Sequence, residues 1–261
     1  MTASTRSFSL LSNDHSTLAE NRLIVALDVL SAAEAQRIVV ELGEAVHLYK
    51  VGMQLYTAVG PEIVRELVRS GHEVFLDLKF HDIPNTVAAA VREAAQLGAA
   101  MLTVHAAGGS KMLEAAVEAA RANARLESGV HAHPVIPKIV AVTVLTSMDQ
   151  DDLNQTGVPG AVIDQVLRLA LVAKKAGCAG VVSSAREAKT LRTKMGHDFL
   201  IVTPGVRPAG SEHSDQARVA TPAQAVAAGA SHIVVGRPIT AAKDPAAAAR
   251  AIMQQMQQSE L

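Results

Sequence analysis

The sequence lacks tryptophan, is poor in aromatic residues (2%) and has one cysteine. A single cysteine, Cys178, excludes an internal disulfide and a CxxC metal site, and it is compatible with a reducing cytoplasm. Because aromatic residues are so few, Ala, Val, Leu and Ile must fill the interior of this 49% hydrophobic chain. The length of 261 residues is close to the ~250 residues of a single α/β barrel.

An excess of charge of one sign and long apolar runs are also absent. The formal net charge is −1 at pH 7, so no long-range field attracts nucleic acid or an anionic membrane, and an anionic ligand must be held by local groups. No apolar run reaches the ~18 residues of a membrane-spanning helix. Residues 1–21 are too polar for a signal peptide. We therefore predict an N-terminal tail over residues 1–21 and a cytoplasmic protein without membrane or nucleic-acid partners.

From residue 22 onward, a Val/Ile/Leu-rich run, an Ala-rich stretch of helical period and a Gly recur in that order. The eight candidate strands cover residues 23–29, 47–53, 74–79, 101–106, 138–145, 179–184, 199–204 and 232–237. Continuous apolar strands joined by helices predict a parallel sheet that is covered on its outer face. Eight such units favour a single closed (β/α)8 TIM barrel of the α/β class over residues 22–261. An open doubly wound sheet usually has fewer strands and a GxGxxG turn, which does not follow the first strand here.

Polar residues gather at the predicted carboxyl ends of the strands, where barrel enzymes carry their chemistry. The set comprises Asp28, Lys50, Asp77, Lys79, His105, Thr146, Ser147, Ser183, Ser184, Arg207 and Arg237. Strand starts are mostly apolar, with His47, Lys138 and His232 as the exceptions. Loop residues are polar in most proteins, but the bias still predicts an active site at the carboxyl ends.

The third strand and the turn after it, FLDLKFHDIPNTV, carry three charges of interest. Asp77 and Lys79 are two residues apart, so regular strand alternation points both to one face with Cα atoms ~6.6 Å apart. A buried ion pair with Asp82 as a helix cap is the structural alternative. However, burying an ion pair rarely stabilises a protein more than apolar residues do, because desolvating each ion is costly. Together with Lys50 on the neighbouring strand, these residues therefore favour a functional array of alternating charge.

The same stretch resembles the DxKxxD signature of the orotidine 5′-phosphate decarboxylase family. The similarity continues in family order through YKVG, AVTVLTS, TPGVRPAG, the Gln of SDQAR and VVGRPIT, and it covers the chain from residue 22 to the end. DxKxxD alone is shared with related sugar-phosphate decarboxylases, whereas the full series is much more specific.

The resemblance implies a decarboxylation of orotidine 5′-phosphate (OMP) to UMP that uses neither cofactor nor metal. Lys79 would stabilise and protonate the C6 carbanion, Asp77 would lie against the departing carboxylate, and Lys50 and Asp82 would fix Lys79. Lys50 and Asp77 would also contact the substrate. The other implied substrate-binding residues are Asp28 and Thr86 for the ribose, Thr146 and Ser147 for the pyrimidine, and Arg207, Gln216, Gly236 and Arg237 for the phosphate.

The family further implies a homodimer in which residues 82–86 reach into the partner's site. The segment GVRPAGSEHSDQARVATPAQ after the seventh strand is long and rich in Gly, Pro and Ser, and we expect it to close over a bound phosphate. A mobile surface loop is the simpler explanation of the same composition.

Two other functions stay open at this point. One is a related sugar-phosphate decarboxylase or epimerase, which would need a divalent metal. The other is a catalytically silent phosphate-binding barrel that acts as a scaffold. The HAHP stretch at 131–134 has metal-like spacing, but it precedes the fifth strand and lacks a third ligand, so we predict no metal there.

Overall fold

Eight parallel strands close into a barrel in chain order, and the first strand is hydrogen-bonded to the eighth. This computed structural model describes residues 22–123, 136–208 and 220–258. The strands are β1 Leu23–Ala26, β2 Leu48–Gly52, β3 Glu73–Phe80, β4 Met101–His105, β5 Lys138–Val142, β6 Gly180–Val182, β7 Leu200–Thr203 and β8 His232–Val235. The predicted (β/α)8 TIM barrel is confirmed, and each predicted run coincides with one strand. The predicted tail, residues 1–21, lies outside the described ranges.

Helices follow the strands and cover the outside of the barrel. Those in the described ranges are α1 Ala32–Leu42, α2 Met53–Val59, α3 Glu62–Arg69, α4 Pro84–Gln96, α5 Gly109–Asn123, α6 Gln150–Gln155, α7 Val162–Lys175, α8 Ala185–Met195, α9 Pro222–Ala227, α10 Arg237–Thr240 and α11 Pro245–Gln257. Several begin where a short polar side chain accepts a hydrogen bond from a free backbone N–H group, as Ser31 does for α1 and Ser184 for α8. Proline occupies the first turn of α4 and α11, where it has no backbone hydrogen bond to lose.

The barrel has two separate apolar cores. The inner core is formed by Ile24, Ala26, Leu48, Phe75, Met101, Val140, Val202 and Val234, and the larger outer core lies between the sheet and the helices. Successive residues of a strand point to opposite faces, so the residue two positions after an inner-core residue also points inward. These next positions are Asp28 after Ala26, Lys50 after Leu48, and Asp77 after Phe75. The alternation that builds the inner core thus delivers charged side chains to its carboxyl end.

Two histidines at the amino ends of the strands, His232 and His72, have lowered pKa values. Burial lowers the pKa of His232 to about 4, and the charges of Lys138 and Arg22 act in the same direction. Burial, with a smaller effect of His47, also lowers the pKa of His72. His232 is therefore uncharged at neutral pH, and its buried ring does not carry the cost of a desolvated charge.

The low pKa of His232 predicts a stability that depends on pH. The unfolded chain takes up this proton near pH 6.5, whereas the folded chain takes it up only near pH 4. The stability is therefore complete above the unfolded pKa and is lost as the pH falls toward the folded one. Between neutral pH and about pH 4.5, we expect the free energy of unfolding to fall by about 2 kcal/mol less in His232→Gln than in the wild type.

Urea denaturation over this pH range measures the effect. His197→Gln is the matched control, because His197 is exposed and its backbone carbonyl, which any residue retains, accepts the bond from Arg192. The control should lose stability as steeply as the wild type. An equally steep loss in His232→Gln would contradict the assignment.

Candidate active site

A cavity of about 580 Å³ opens at the carboxyl ends of the strands. Ala26, Phe75 and Val234 of the inner core contribute to its lining. The sequence-predicted site residues that line it are Asp28, Lys50, Asp77, Lys79, Thr146, Arg207, Gly236 and Arg237. The cavity therefore combines an apolar floor with charged groups from β2 and β3, from the segments after β1 and β7, and from the start of α10.

Four charged side chains in this cavity form a row of alternating sign. The Lys79 Nζ atom lies 2.9 Å from both carboxylate oxygens of Asp77. The Lys50 Nζ atom lies 2.7 Å from Asp28 Oδ1 and 3.9 Å from Asp77 Oδ2. The side chains of Lys50, Asp77 and Lys79 are 11%, 13% and 25% exposed, so these three inner charges are largely removed from water. The fourth charge, Asp28, is 52% exposed. Each of these inner charges has a neighbour of opposite sign, which offsets part of the desolvation cost.

The backbone of β3 is irregular at the two residues that carry the central ion pair. Leu76 pairs with Leu102 of β4 and Phe80 pairs with Val104, so three residues of β3 face one residue of β4. Lys79 has φ +52°, and in the described ranges it is the one residue other than glycine with a positive φ. The side chains of residues 77 and 79 lie together as predicted. However, the prediction assumed a regular strand, and this assumption is wrong here. A bulge and a left-handed residue turn Lys79 toward Asp77.

Gly52 leaves the space that the Lys50–Asp28 pair occupies. A Cβ atom at this position would lie 2.6 Å from Lys50 Nζ and 3.1 Å from Asp28 Oδ1. The backbone of Gly52 has φ −94° and ψ 177°, which other residues adopt freely. Glycine is therefore needed here for space and not for its conformational freedom.

The remaining predicted residues lie apart from this row. Asp82 and Thr86 are exposed, and the Asp82 carboxylate accepts a hydrogen bond of 2.6 Å from the backbone N–H of Ile83. Thr146 is half-buried in the cavity wall, whereas Ser147 is exposed and outside it. Gln216 and most of the expected phosphate-closing segment lie outside the described residues.

Arg207 stands at the start of that segment. Its backbone N–H donates to the carbonyl of Ala220 at 3.0 Å, and Val206 forms an isolated bridge with the same residue. The two ends of the segment are thus fixed to each other beside the cavity.

Sequence reasoning missed two polar residues of the site. Gln54 lines the cavity just after β2. Thr103 of β4 is fully buried, and its hydroxyl donates to Asp77 Oδ1 at 3.0 Å and accepts from the Lys79 backbone N–H at 2.8 Å. Strand alternation could have identified Thr103, because it stands two residues after the inner-core residue Met101 and therefore also points inward.

His105, predicted among the polar strand ends, does not line the cavity. Its ring lies 5.3 Å from the ring of His81. Burial lowers its pKa, the neighbouring His81 and Lys79 act in the same direction, and Asp77 acts in the opposite one. The lowered pKa favours the neutral form of this ring beside Lys79.

Within the described ranges no group of three or more His, Cys, Asp or Glu side chains is arranged to hold a metal ion. The HAHP stretch lies outside those ranges. No helix in the part of the chain that the structure describes is long and apolar enough to cross a membrane.

Comparison with known proteins gives a consistent result. The model of the orotidine 5′-phosphate decarboxylase / HUMPS family matches residues 21–252. The orotidine 5′-phosphate decarboxylase of Moorella thermoacetica is 52% identical over 235 residues, which cover 90% of this chain and 91% of that protein. The enzyme of the same name from Halorhodospira halophila is 53% identical over 232 residues, covering 88% and 94% of the two chains. The crystal structure of orotidine 5′-phosphate decarboxylase from Lactobacillus acidophilus has a TM-score of 0.79 at 42% identity, with 90% and 98% of the chains covered.

The fit around Gly52 predicts the effect of a single methyl group. In Gly52→Ala, the added Cβ atom should push Lys50 Nζ away from Asp28, beyond the ~3.5 Å limit of a hydrogen bond. A crystal structure of the variant measures this distance. Gly60→Ala is the control, because nothing lies within 4 Å of the position of its Cβ atom. It should lose about 1–3 kcal/mol of stability, because its φ of 77° and ψ of −169° lie in a region that is essentially restricted to glycine, but it should keep the charged row. A Lys50–Asp28 distance that stays at 2.7 Å in Gly52→Ala would contradict this account.

Proposed function

The chain belongs to the orotidine 5′-phosphate decarboxylase / HUMPS family and is a carboxy-lyase, and we propose that it converts OMP to UMP and CO2 in pyrimidine biosynthesis, without a cofactor. The observation that carries the proposal is the row Asp28, Lys50, Asp77 and Lys79, built into one cavity at the carboxyl ends of the strands. An ammonium group on a side chain that is only 25% exposed is suited to meet a negative charge that develops on a bound substrate.

The proposed reaction needs electrostatic stabilisation above all. When the bond between C6 and the carboxylate breaks, CO2 leaves and the electron pair stays on C6, where the pyrimidine ring does not delocalise it. The Lys79 ammonium stabilises this pair and then gives its proton to C6, which yields UMP. The neutral amine regains a proton from water.

Magnitudes show which contribution is the larger one. General acid catalysis contributes typically 10²- to 10⁴-fold, or roughly 3 to 5 kcal/mol, whereas enzymes commonly lower barriers by ~8 to 23 kcal/mol. Most of the effect must therefore come from a charge that is already in place when the carbanion forms. Lys79 meets this requirement because both oxygens of Asp77 hold its Nζ atom before any substrate binds.

Asp77 has two roles in the proposal. It holds Lys79, and its own carboxylate faces the departing carboxylate of OMP. Lys79, Lys50 and the hydroxyl of Thr103 all lie around this carboxylate, so its position is determined from three sides. It is therefore fixed next to the bond that breaks.

The unreactive parts of OMP are assigned to the rim of the cavity. Gly236 directly follows β8 and Arg237 begins α10, at the position where barrels of this type often bind phosphate, and Arg207 approaches from the loop after β7. An arginine presents two parallel N–H donors to a phosphate, and Gly236 leaves its backbone accessible. We assign Asp28 to the ribose and Thr146 to the pyrimidine; Thr86 and Gln216 keep the ribose and phosphate roles that the resemblance implies.

The active unit in this proposal is a homodimer. Asp82 and Thr86 are exposed in a single chain, and Ile83 between them is 66% exposed although it is a large apolar residue. Leu30 and Met53, which follow β1 and β2 at the same end of the barrel, are 74% and 53% exposed. Apolar side chains around a charged mouth suit a protein–protein contact, so a second chain that packs there would bring residues 82–86 to the neighbouring site.

A cytoplasmic location completes the proposal. Cys178 is a buried free thiol, and burial raises its pKa to about 12. An unpaired cysteine of this kind fits a reducing compartment.

An assay of OMP turnover tests the reaction. The loss of OMP absorbance is measured in the presence of a chelator. We expect the wild type to be fully active with chelator, and we expect Lys79→Ala to lose at least about 10⁴ in kcat, because it removes both the proton donor and the fixed charge. Lys194→Ala, which changes an exposed lysine of α8, is the control and should be unaffected. A wild type that is inactive on OMP would overturn the assignment of OMP as the substrate. Activity that disappears with chelator would favour the metal-dependent sugar-phosphate chemistry, and turnover by Lys79→Ala would overturn the role of Lys79.

Mixing two inactive variants tests the shared site. Lys79→Ala and Asp82→Ala should each be inactive as homodimers, but in a mixed dimer one site receives Lys79 from one chain and Asp82 from the other. Random exchange of equal amounts should restore about a quarter of the wild-type activity, since half of the dimers are mixed and each has one intact site. Lys79→Ala mixed with Asp77→Ala is the control and should stay inactive, because both residues act within one chain. No recovery in the first mixture would show that Asp82 does not act across the dimer.

A further inference from the structure

Thr103 occupies a special position in the barrel. It is fully buried, and it is the one residue of β4 that stands opposite the three-residue bulge of β3, between the pairs Leu76–Leu102 and Phe80–Val104. It does not line the cavity, so it does not contact a ligand there. Whatever it contributes must act through its neighbours.

The hydroxyl of Thr103 makes two hydrogen bonds with different partners. It accepts from the backbone N–H of Lys79 at 2.8 Å and donates to Asp77 Oδ1 at 3.0 Å. A hydroxyl has one proton and two lone pairs. Its proton is donated to the Asp77 carboxylate, and its oxygen is free to accept the hydrogen bond from the Lys79 N–H group. A hydrogen bond to an ionised group is stronger than one between neutral groups.

The first of these bonds supports the conformation of Lys79. Because β3 bulges here, the N–H of Lys79 lacks the backbone carbonyl that a regular ladder would supply, and a buried N–H without an acceptor is costly. The left-handed conformation of a residue with a long side chain is costly as well. The Thr103 oxygen provides the missing acceptor at the point where the backbone turns.

The second bond closes a ring of hydrogen bonds. Asp77 Oδ1 receives both the Thr103 hydroxyl and the Nζ atom of Lys79, the latter at 2.9 Å. The two ends of residue 79, its backbone N–H and its ammonium, are therefore tied together through one hydroxyl and one carboxylate oxygen. Loss of the hydroxyl would remove the acceptor of the Lys79 N–H and one of the hydrogen bonds that orient the Asp77 carboxylate.

We infer that Thr103 is a positioning residue for the decarboxylation, whose hydroxyl fixes the left-handed turn of Lys79 and the orientation of Asp77, and so aims the ammonium at the reacting carbon. This inference rests on the proposed function. The methyl group of Thr103 packs in the barrel, and the hydroxyl carries the positioning.

Two substitutions separate the hydroxyl from the packing. Thr103→Val keeps the shape but removes the hydroxyl, and Thr103→Ser keeps the hydroxyl but removes the methyl group. Thr143→Val is the matched control, because Thr143 is also a buried barrel threonine, and its hydroxyl donates to the carbonyl of Val182 at 3.0 Å, away from the charged row.

With OMP as substrate, we expect kcat of Thr103→Val to fall about 10- to 100-fold, the effect of losing one hydrogen bond to a charged group. KM should change less than about 3-fold, since the residue does not contact the substrate. Thr103→Ser should recover most of kcat, and Thr143→Val should retain it. An unchanged kcat in Thr103→Val, or an equal fall in Thr103→Ser, would overturn the inference.

Crystal structures without ligand provide a readout that is independent of the reaction. In Thr103→Val, we expect Lys79 to leave its left-handed conformation or its Nζ atom to separate from one oxygen of Asp77. A positive φ together with both 2.9 Å contacts in this variant would overturn the inference. A wild type that does not turn over OMP overturns the proposed function, and the structures then decide the role of Thr103 alone. Should Thr103→Val not fold, Thr103→Cys replaces it in both tests, because a thiol is a weaker hydrogen-bond partner.

Discussion

The contact of the Lys79 ammonium with both carboxylate oxygens of Asp77 is the interaction on which the rest of the site depends. Alone, an ion pair whose side chains are only 25% and 13% exposed is no better for stability than two apolar side chains, because both ions lose water. Here the surroundings reduce that cost. Lys50 extends the row toward Asp28, and the hydroxyl of Thr103 donates a hydrogen bond to the Asp77 carboxylate. The cavity therefore holds a fixed positive charge whose neighbours are already arranged around it.

The barrel provides this arrangement through one geometric rule. Inward residues recur every second position along a strand, so a strand that contributes an apolar side chain to the inner core can carry its next inward residue to the cavity, as β1, β2 and β3 do. Ala26 leads to Asp28, Leu48 to Lys50, and Phe75 to Asp77. The floor and the charged wall of the site are thus consecutive layers of the same barrel. A slip of one residue in any of these strands would exchange the charged layer for residues of the outer core.

The sequence predicted the parts of the structure that depend on local patterns. Continuous apolar runs identified the eight strands, and the polar residues after them identified the end of the barrel that carries the cavity. The bulge at Asp77 to Lys79 was not predictable in this way, because it is defined by pairing with β4, about two dozen residues further along the chain. The same holds for Thr103 and for Gly52, whose importance lies in side chains that only the folded barrel brings near. Asp82 and Thr86 are a different case, since a single chain leaves them exposed.

The backbone at Lys79 connects these observations. A lysine with φ +52° in the middle of a strand pair is unfavourable, and proteins keep such conformations where the surroundings compensate for them. A regular β3 would restore the backbone pairing with β4, whereas the bulged strand places the Lys79 Nζ atom 2.9 Å from both oxygens of Asp77. The bulge therefore exchanges backbone regularity for the placement of one ammonium group. Selection for stability alone would favour a regular strand with apolar residues, so the combination of bulge, buried hydroxyl and alternating charge is best explained by a requirement of the reaction.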